Sequence, residues 1–147
     1  MKKLLSKFLV CCMVLGLMVS PAYAAEANAD SNVTIIELSD NIIIEITTGT
    51  YYNCRANSNT GYKTYTVKDG GREVGSATLI ASFEYNGSTA WVTDTDYTKT
   101  TVNGCTYSHG GITTSGNRAS MSGTFYYGGT NYPFSISLTC SGSGTIS

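Results

Sequence analysis

"NRASMSGTFYYGGTNYPFSISLTC", residues 117–140, reads as a single β-hairpin, and that reading decides the fold class. Gly128 and Gly129 separate two runs in which apolar and hydroxyl residues alternate. Adjacent glycines supply the positive φ angles that a two-residue hairpin loop requires. Pairing Tyr127 with Thr130 then sets Phe125 opposite Tyr132, Gly123 opposite Phe134, Met121 opposite Ile136 and Ala119 opposite Leu138. All of these fall on one face, with the glycine facing a large ring. A slip of one residue would set them against Ser135, Ser137 and Thr139, so the register is strongly specified. Cys140 continues the apolar face. Pro133 falls on the opposite face and lacks an N–H, which places it on an edge strand or at a bulge.

The same logic applies upstream. In "SATLIASFEYNGSTAWVTD", residues 76–94, Asn86-Gly87 lies between strand formers, the strongest short hairpin signal. A two-residue loop pairs Tyr85 with Ser88, Phe83 with Ala90, Ser82 with Trp91 and Ala81 with Val92. Ala77, Leu79, Ala81, Phe83, Ala90 and Val92 share the apolar face, and Trp91 falls on the polar one, near Ile80 and Glu84. "VTIIELS" (33–39) and "IIIEIT" (42–47) form strands joined at Asp40-Asn41, and "YKTYTV" (62–67) ends in the turn "KDGG" (68–71). Thr and Tyr are abundant, Leu is scarce, and no long window has a helical period. The expectation is all-β: an antiparallel β-sandwich built from hairpins, Ig-like in general architecture.

The N-terminus reads as an export signal. Lys2, Lys3 and Lys7 precede an apolar run, Phe8–Val19, too short to span a bilayer. Ala22 and Ala24 supply the small residues of a cleavage site. Residues 1–24 are therefore expected to be a signal peptide, 25–32 a flexible polar N-terminus, and 33–147 one sandwich domain. Cleavage after Ala24 leaves 123 residues, with six basic and ten acidic side chains and a net charge of −4. That balance argues against nucleic acid, which selects a basic face. No second long apolar run follows, so no membrane span is expected after cleavage. The expected location is secreted and extracellular.

Cleavage also leaves three cysteines, Cys54, Cys105 and Cys140. Disulfides persist outside the cell, and an odd count allows one internal bridge at most. Cys105 to Cys140 is the expected bridge, with Cys54 the odd thiol; pairings through Cys54 are the alternatives.

Few residues have the makings of a chemical site. "NGCTYSHGG" (103–111) holds Cys105 four residues before His109, the only histidine. On an extended strand these lie ~13 Å apart, out of reach for a nucleophile and its base. One histidine and scattered cysteines do not make a zinc site. Asp94 and Asp96 supply two carboxylates where calcium takes six to eight oxygens. Glu37, Glu45, Glu73 and Glu84 lie in or beside strands, and nothing selects a glycosidase pair among them. No cofactor motif is present, so the expectation is no metal and no cofactor. Trp91, with Tyr107 and Tyr126, is the candidate ligand-binding set, and Tyr51, Tyr62 and Tyr97 could extend it. The competing reading is that neighbouring chain covers Trp91.

"ATLIASFEYNGSTAWVTD", "SGNRASMSGTF" and "FSISLTCSGSGTIS" supply an Asn-Gly hairpin, a Ser-Gly-Asn segment before an alternating strand and a last strand ending in Cys; in that order these features resemble those of small secreted proteins of Gram-positive bacteria, over residues 75–147. The resemblance implies a secreted sandwich and carries no catalytic residue, since those proteins have no established activity. The expected function is a non-enzymatic binding or surface-interaction module for a carbohydrate or a protein. The alternative is a small secreted hydrolase using His109 or a carboxylate pair.

Overall fold

A computed structural model describes residues 31–51, 55–102 and 104–147. The expected signal peptide, most of the polar N-terminus and Cys54 lie outside the described residues. Eight strands follow one another: β1 (Asn32–Glu37), β2 (Ile42–Tyr51), β3 (Ser58–Asp69), β4 (Arg72–Tyr85), β5 (Ala90–Thr101), β6 (Thr106–Ser115), β7 (Arg118–Tyr127) and β8 (Thr130–Thr139). β1 to β5 form one antiparallel sheet in sequence order, and β6 to β8 form a second. The two pack face to face as a β-sandwich. It shares the layers of an immunoglobulin domain but not its Greek-key crossing; each sheet is a plain meander, and the chain changes sheets once.

The Gly128-Gly129 hairpin has the register that alternation dictates, from Tyr127↔Thr130 to Ala119↔Leu138. Both glycines have positive φ, 58° and 78°. Pro133 lies exposed in β8, an edge strand of its sheet. Gly70-Gly71 makes the same kind of loop between Asp69 and Arg72.

The Asn86-Gly87 hairpin differs from expectation. Tyr85 pairs with Ala90 and Phe83 with Val92, so the loop has four residues, 86–89. The cause is the Asn86 side chain. Its Oδ1 accepts the N–H groups of Ser88 and Thr89 at 3.0 and 2.9 Å, stabilising a wider turn than the two-residue form. The Gly87 N–H then donates to the Gly142 carbonyl at 2.8 Å, docking the loop on the C-terminal segment. Up to Phe83↔Val92 the register moves by two residues, which keeps Ala90, Trp91 and Val92 on their expected faces. A bulge at Ser82/Phe83 takes up Thr93.

The core lies between the sheets and pairs rings with small residues. Phe83, Phe125, Leu79, Met121 and Leu138 are fully buried. Tyr65 of β3 stacks on Phe134 of β8 at 4.6 Å between centroids, joining the two sheets. Opposite Phe134 stands Gly123, where a Cβ would lie 2.8 Å from the Tyr107 ring and 3.0 Å from that of Phe134. Coverage is unequal: β8 lies over β3 and β4, β7 over β4 and β5, and β6 against β5. β1 and β2 project past the smaller sheet, and every residue of β1 is exposed.

Gly123→Ala is expected to destabilise the protein by about 1–3 kcal/mol through overpacking. A lower urea midpoint at unchanged slope would show it; an unchanged midpoint would mean that the rings yield freely.

Candidate functional site

Trp91 lies on the outer face of the five-stranded sheet, opposite Glu84, and is 39% exposed. Alternation put it on that face, and no described segment covers it. The bulge beside it opens a shallow pocket of about 230 Å³, lined by Arg55, Ser58, Thr60, Ser82, Phe83, Glu84 and Thr93. The hydroxyls form cross-strand pairs: Thr60 Oγ1 to Ser82 Oγ at 3.0 Å and Thr64 Oγ1 to Thr78 Oγ1 at 2.8 Å.

Further along this face Tyr62 lies over Gly49, its cross-strand partner. A Cβ on Gly49 would be 2.5 Å from the Tyr62 hydroxyl. With no side chain beneath it, the ring lies low against the sheet. Tyr51 meets it at 5.0 Å between centroids. Tyr62 and Trp91 are two strands and four residues apart, roughly 16 Å by strand spacing and rise. One sheet face thus holds aromatic surfaces at two places, with hydroxyls, a carboxylate and a guanidinium between them.

The expected ligand-binding set does not converge. Tyr126 is exposed on the outer face of the other sheet, between Thr106 and Asn131. Tyr107 points inward, packed on Phe125 at 4.9 Å. Tyr97 also points inward, opposite Leu79. The partners that Trp91 does gain are Tyr51 and Tyr62 on its own face, with Arg55 and Glu84 beside it.

His109 closes the flank where β5 meets β6. Its ring stacks on Tyr97 at 4.2 Å, with 2° between planes. Its Nδ1 shares a hydrogen bond with the Tyr107 hydroxyl at 3.0 Å. Lys99 Nζ sits 5.5 Å from the centroid of the Tyr107 ring. Cys105 is buried just before β6, with its thiol directed to the Thr106 carbonyl at 3.9 Å. The groups His109 touches are rings and a phenol, and Cys105 is not among them. The glutamates are spread across strands: Glu45 pairs with Lys68, Glu73 accepts from Ser76, and Glu84 faces Trp91. Asp94 and Asp96 each turn back to accept the following N–H, from Thr95 and Tyr97. No group of three or more metal-ligating side chains exists among the described residues.

The expected Cys105–Cys140 disulfide is not made. Both thiols are free and buried. Cys105 precedes Thr106, whose partner is Tyr126 near the end of β7, while the Cys140 N–H binds Asn117 just before β7 begins. The two cysteines therefore stand at opposite ends of the small sheet, roughly 30 Å apart at the usual rise. A bridge needs Cα atoms within about 7 Å. Cys140 does face the core, but facing the core says nothing about which end of it.

No family model, curated protein or solved structure matches the chain. No helix among the described residues is long and apolar enough to cross a membrane.

Burial pushes both thiols above the ordinary value of 9.0. A raised folded-state pKa stabilises below the unfolded pKa and is lost as pH rises through the folded one. Thermal stability should therefore hold from pH 7 up to about that ordinary value and fall above it. Replacing both cysteines by alanine should flatten that alkaline slope. An unaltered slope in the double variant would assign it to the tyrosines instead.

Proposed function

We propose that the protein is a secreted, non-enzymatic binding module whose five-stranded outer face takes a carbohydrate. The carrying observation is Trp91, exposed beside a pocket of hydroxyls with Arg55 and Glu84. A sugar ring has an apolar face that stacks on indole and a rim of hydroxyls that exchange hydrogen bonds with such groups. Tyr62 and Tyr51 lie on the same face and extend it for a chain of several sugar units. Asp94 and Asp96, beyond the pocket in β5, add acceptors at its margin. The surroundings of His109 favour a structural flank over hydrolysis: its neighbours are Tyr97 and Tyr107, and the carboxylates lie on other strands.

The test is a glycan array followed by calorimetry on the ligand found. Trp91→Ala is expected to weaken binding at least tenfold, more than ~1.4 kcal/mol. It should leave the melting temperature nearly unchanged, because Trp91 lies outside the core. His109→Ala should keep full affinity. Unchanged affinity in Trp91→Ala, or turnover abolished by His109→Ala, would refute the reading.

A further inference from the structure

The overhang of β1 and β2 creates a second feature, on the side of the sheet opposite Trp91. Their inner face and the free edge of β8 enclose a groove of about 380 Å³. Ile44, Ile46 and Tyr65 form its floor, Ile36 and Leu38 one wall, and Pro133 part of the other. Ile36 and Leu38 are 44% and 54% exposed.

The groove is charged differently at its two ends. Glu37 and Asp40 flank the β1–β2 turn at one end. At the other, just past the Ile46↔Tyr65 pair, stands Lys63. Its Nζ donates to the Ser137 carbonyl at 3.1 Å. Arg118 Nη2 donates to Ser137 Oγ at 2.9 Å from the far side of β8. Two cations thus meet at one residue, and among the described residues no carboxylate lies within ion-pair distance of either. Burial, and then the charge of Arg118, hold the Lys63 ammonium below its usual range. An anion there would relieve both effects.

The β8 edge is a poor template for a peptide strand. Thr139 exchanges two backbone hydrogen bonds with Ser147 on that side, while Cys140 binds toward β7. Alternation then directs the backbone groups of Asn131, Pro133, Ser135 and Ser137 into the groove. Pro133 has no N–H, Lys63 occupies the Ser137 carbonyl, and Ser147 occupies Thr139. An acyl chain needs no such partners. The path from Asn131 to Ser137 is roughly 20 Å, enough for a long one.

We propose that this groove binds a long-chain fatty acid, its chain along Leu38, Ile36 and Ile46 and its carboxylate at Lys63, with the charge of Arg118 behind β8 adding to the attraction. The test titrates the purified protein with a fluorescent polyene fatty acid and, separately, with its uncharged methyl ester. The acid is expected to bind saturably at one per chain, to be displaced by palmitate, and to bind at least tenfold more tightly than the ester. Lys63→Met should bring the acid to the level of the ester, and Lys63→Arg should retain it. Leu38→Glu, at an exposed rim position, should weaken both. Non-saturable uptake, equal binding of acid and ester, or full acid affinity in Lys63→Met would overturn the proposal. So would saturable binding of an alternating apolar peptide in place of the acid. A dimer in sedimentation that Leu38→Glu dissociates, without acid binding, would give the groove to a second copy of the chain.

Discussion

A five-stranded sheet packed on a three-stranded one cannot bury its whole inner face, and the rest of the molecule is arranged around that mismatch. The three strands of the smaller sheet cover β3, β4 and β5, where the buried side chains concentrate. β2 turns Ile42, Ile44 and Ile46 to the same inner face, with Ile44 reaching the core and the other two only partly buried, while Ile36 of β1 and Leu38 just after it stay exposed. Two sheet edges stay open in consequence, at β1 and at β8. The β8 edge is blunted by a proline, a lysine and the returning chain at Ser147, the devices by which sheets avoid pairing with other copies. β1 has no such protection among the described residues.

Close approach of the two sheets depends on size complementarity. Gly123 admits the rings of Tyr107 and Phe134, and Gly75 admits Phe125 and the Cys105 thiol. Small residues opposite large ones allow the Tyr65, Phe125 and Phe134 rings to stack across the interior. The thiols of Cys105 and Cys140 serve as small apolar fillers in this packing. The described sandwich is thus held by packing and by hydrogen bonds at its ends, such as Tyr127 to Asp69 at 3.0 Å and Asn59 to the Gly144 carbonyl at 2.6 Å.

Alternation made the strand faces legible in the sequence. It gave the whole β7–β8 register and the side on which Trp91 stands, because a period of two leaves each residue one choice. It did not give loop length at Asn86, where a side chain competing for backbone N–H groups outweighs the two-residue turn preference. Nor did it say which strands share a sheet. Sheet membership separates Tyr107 and Tyr126 from Trp91, while the Cys105–Cys140 bridge fails because alternation does not fix which end of the small sheet a core-facing residue occupies. Tyr62 was legible as an aromatic, but its place over Gly49 needed the β2–β3 register. Lys63 and the groove left no local signal: a lysine in "YKTYTV" reads as ordinary strand polarity until β8 is laid beside it.

Two faces of one sheet therefore differ in kind. The outer face around β3 to β5 carries hydroxyls and aromatic rings at two places, with Val33 and Ile35 exposed at its β1 edge; the inner face, where it overhangs, is apolar and ends at Lys63. Both depend on the smaller sheet stopping at β8. Residue-resolved amide exchange on the free protein tests this most directly. Phe134 and Ile136, bonded toward β7, should exchange slowly, while Asn131 and Ser135 exchange at nearly open-chain rates, as should alternate residues of β1. Uniform protection along β8 would mean that its edge is paired, and would contradict the unequal sandwich on which the account rests.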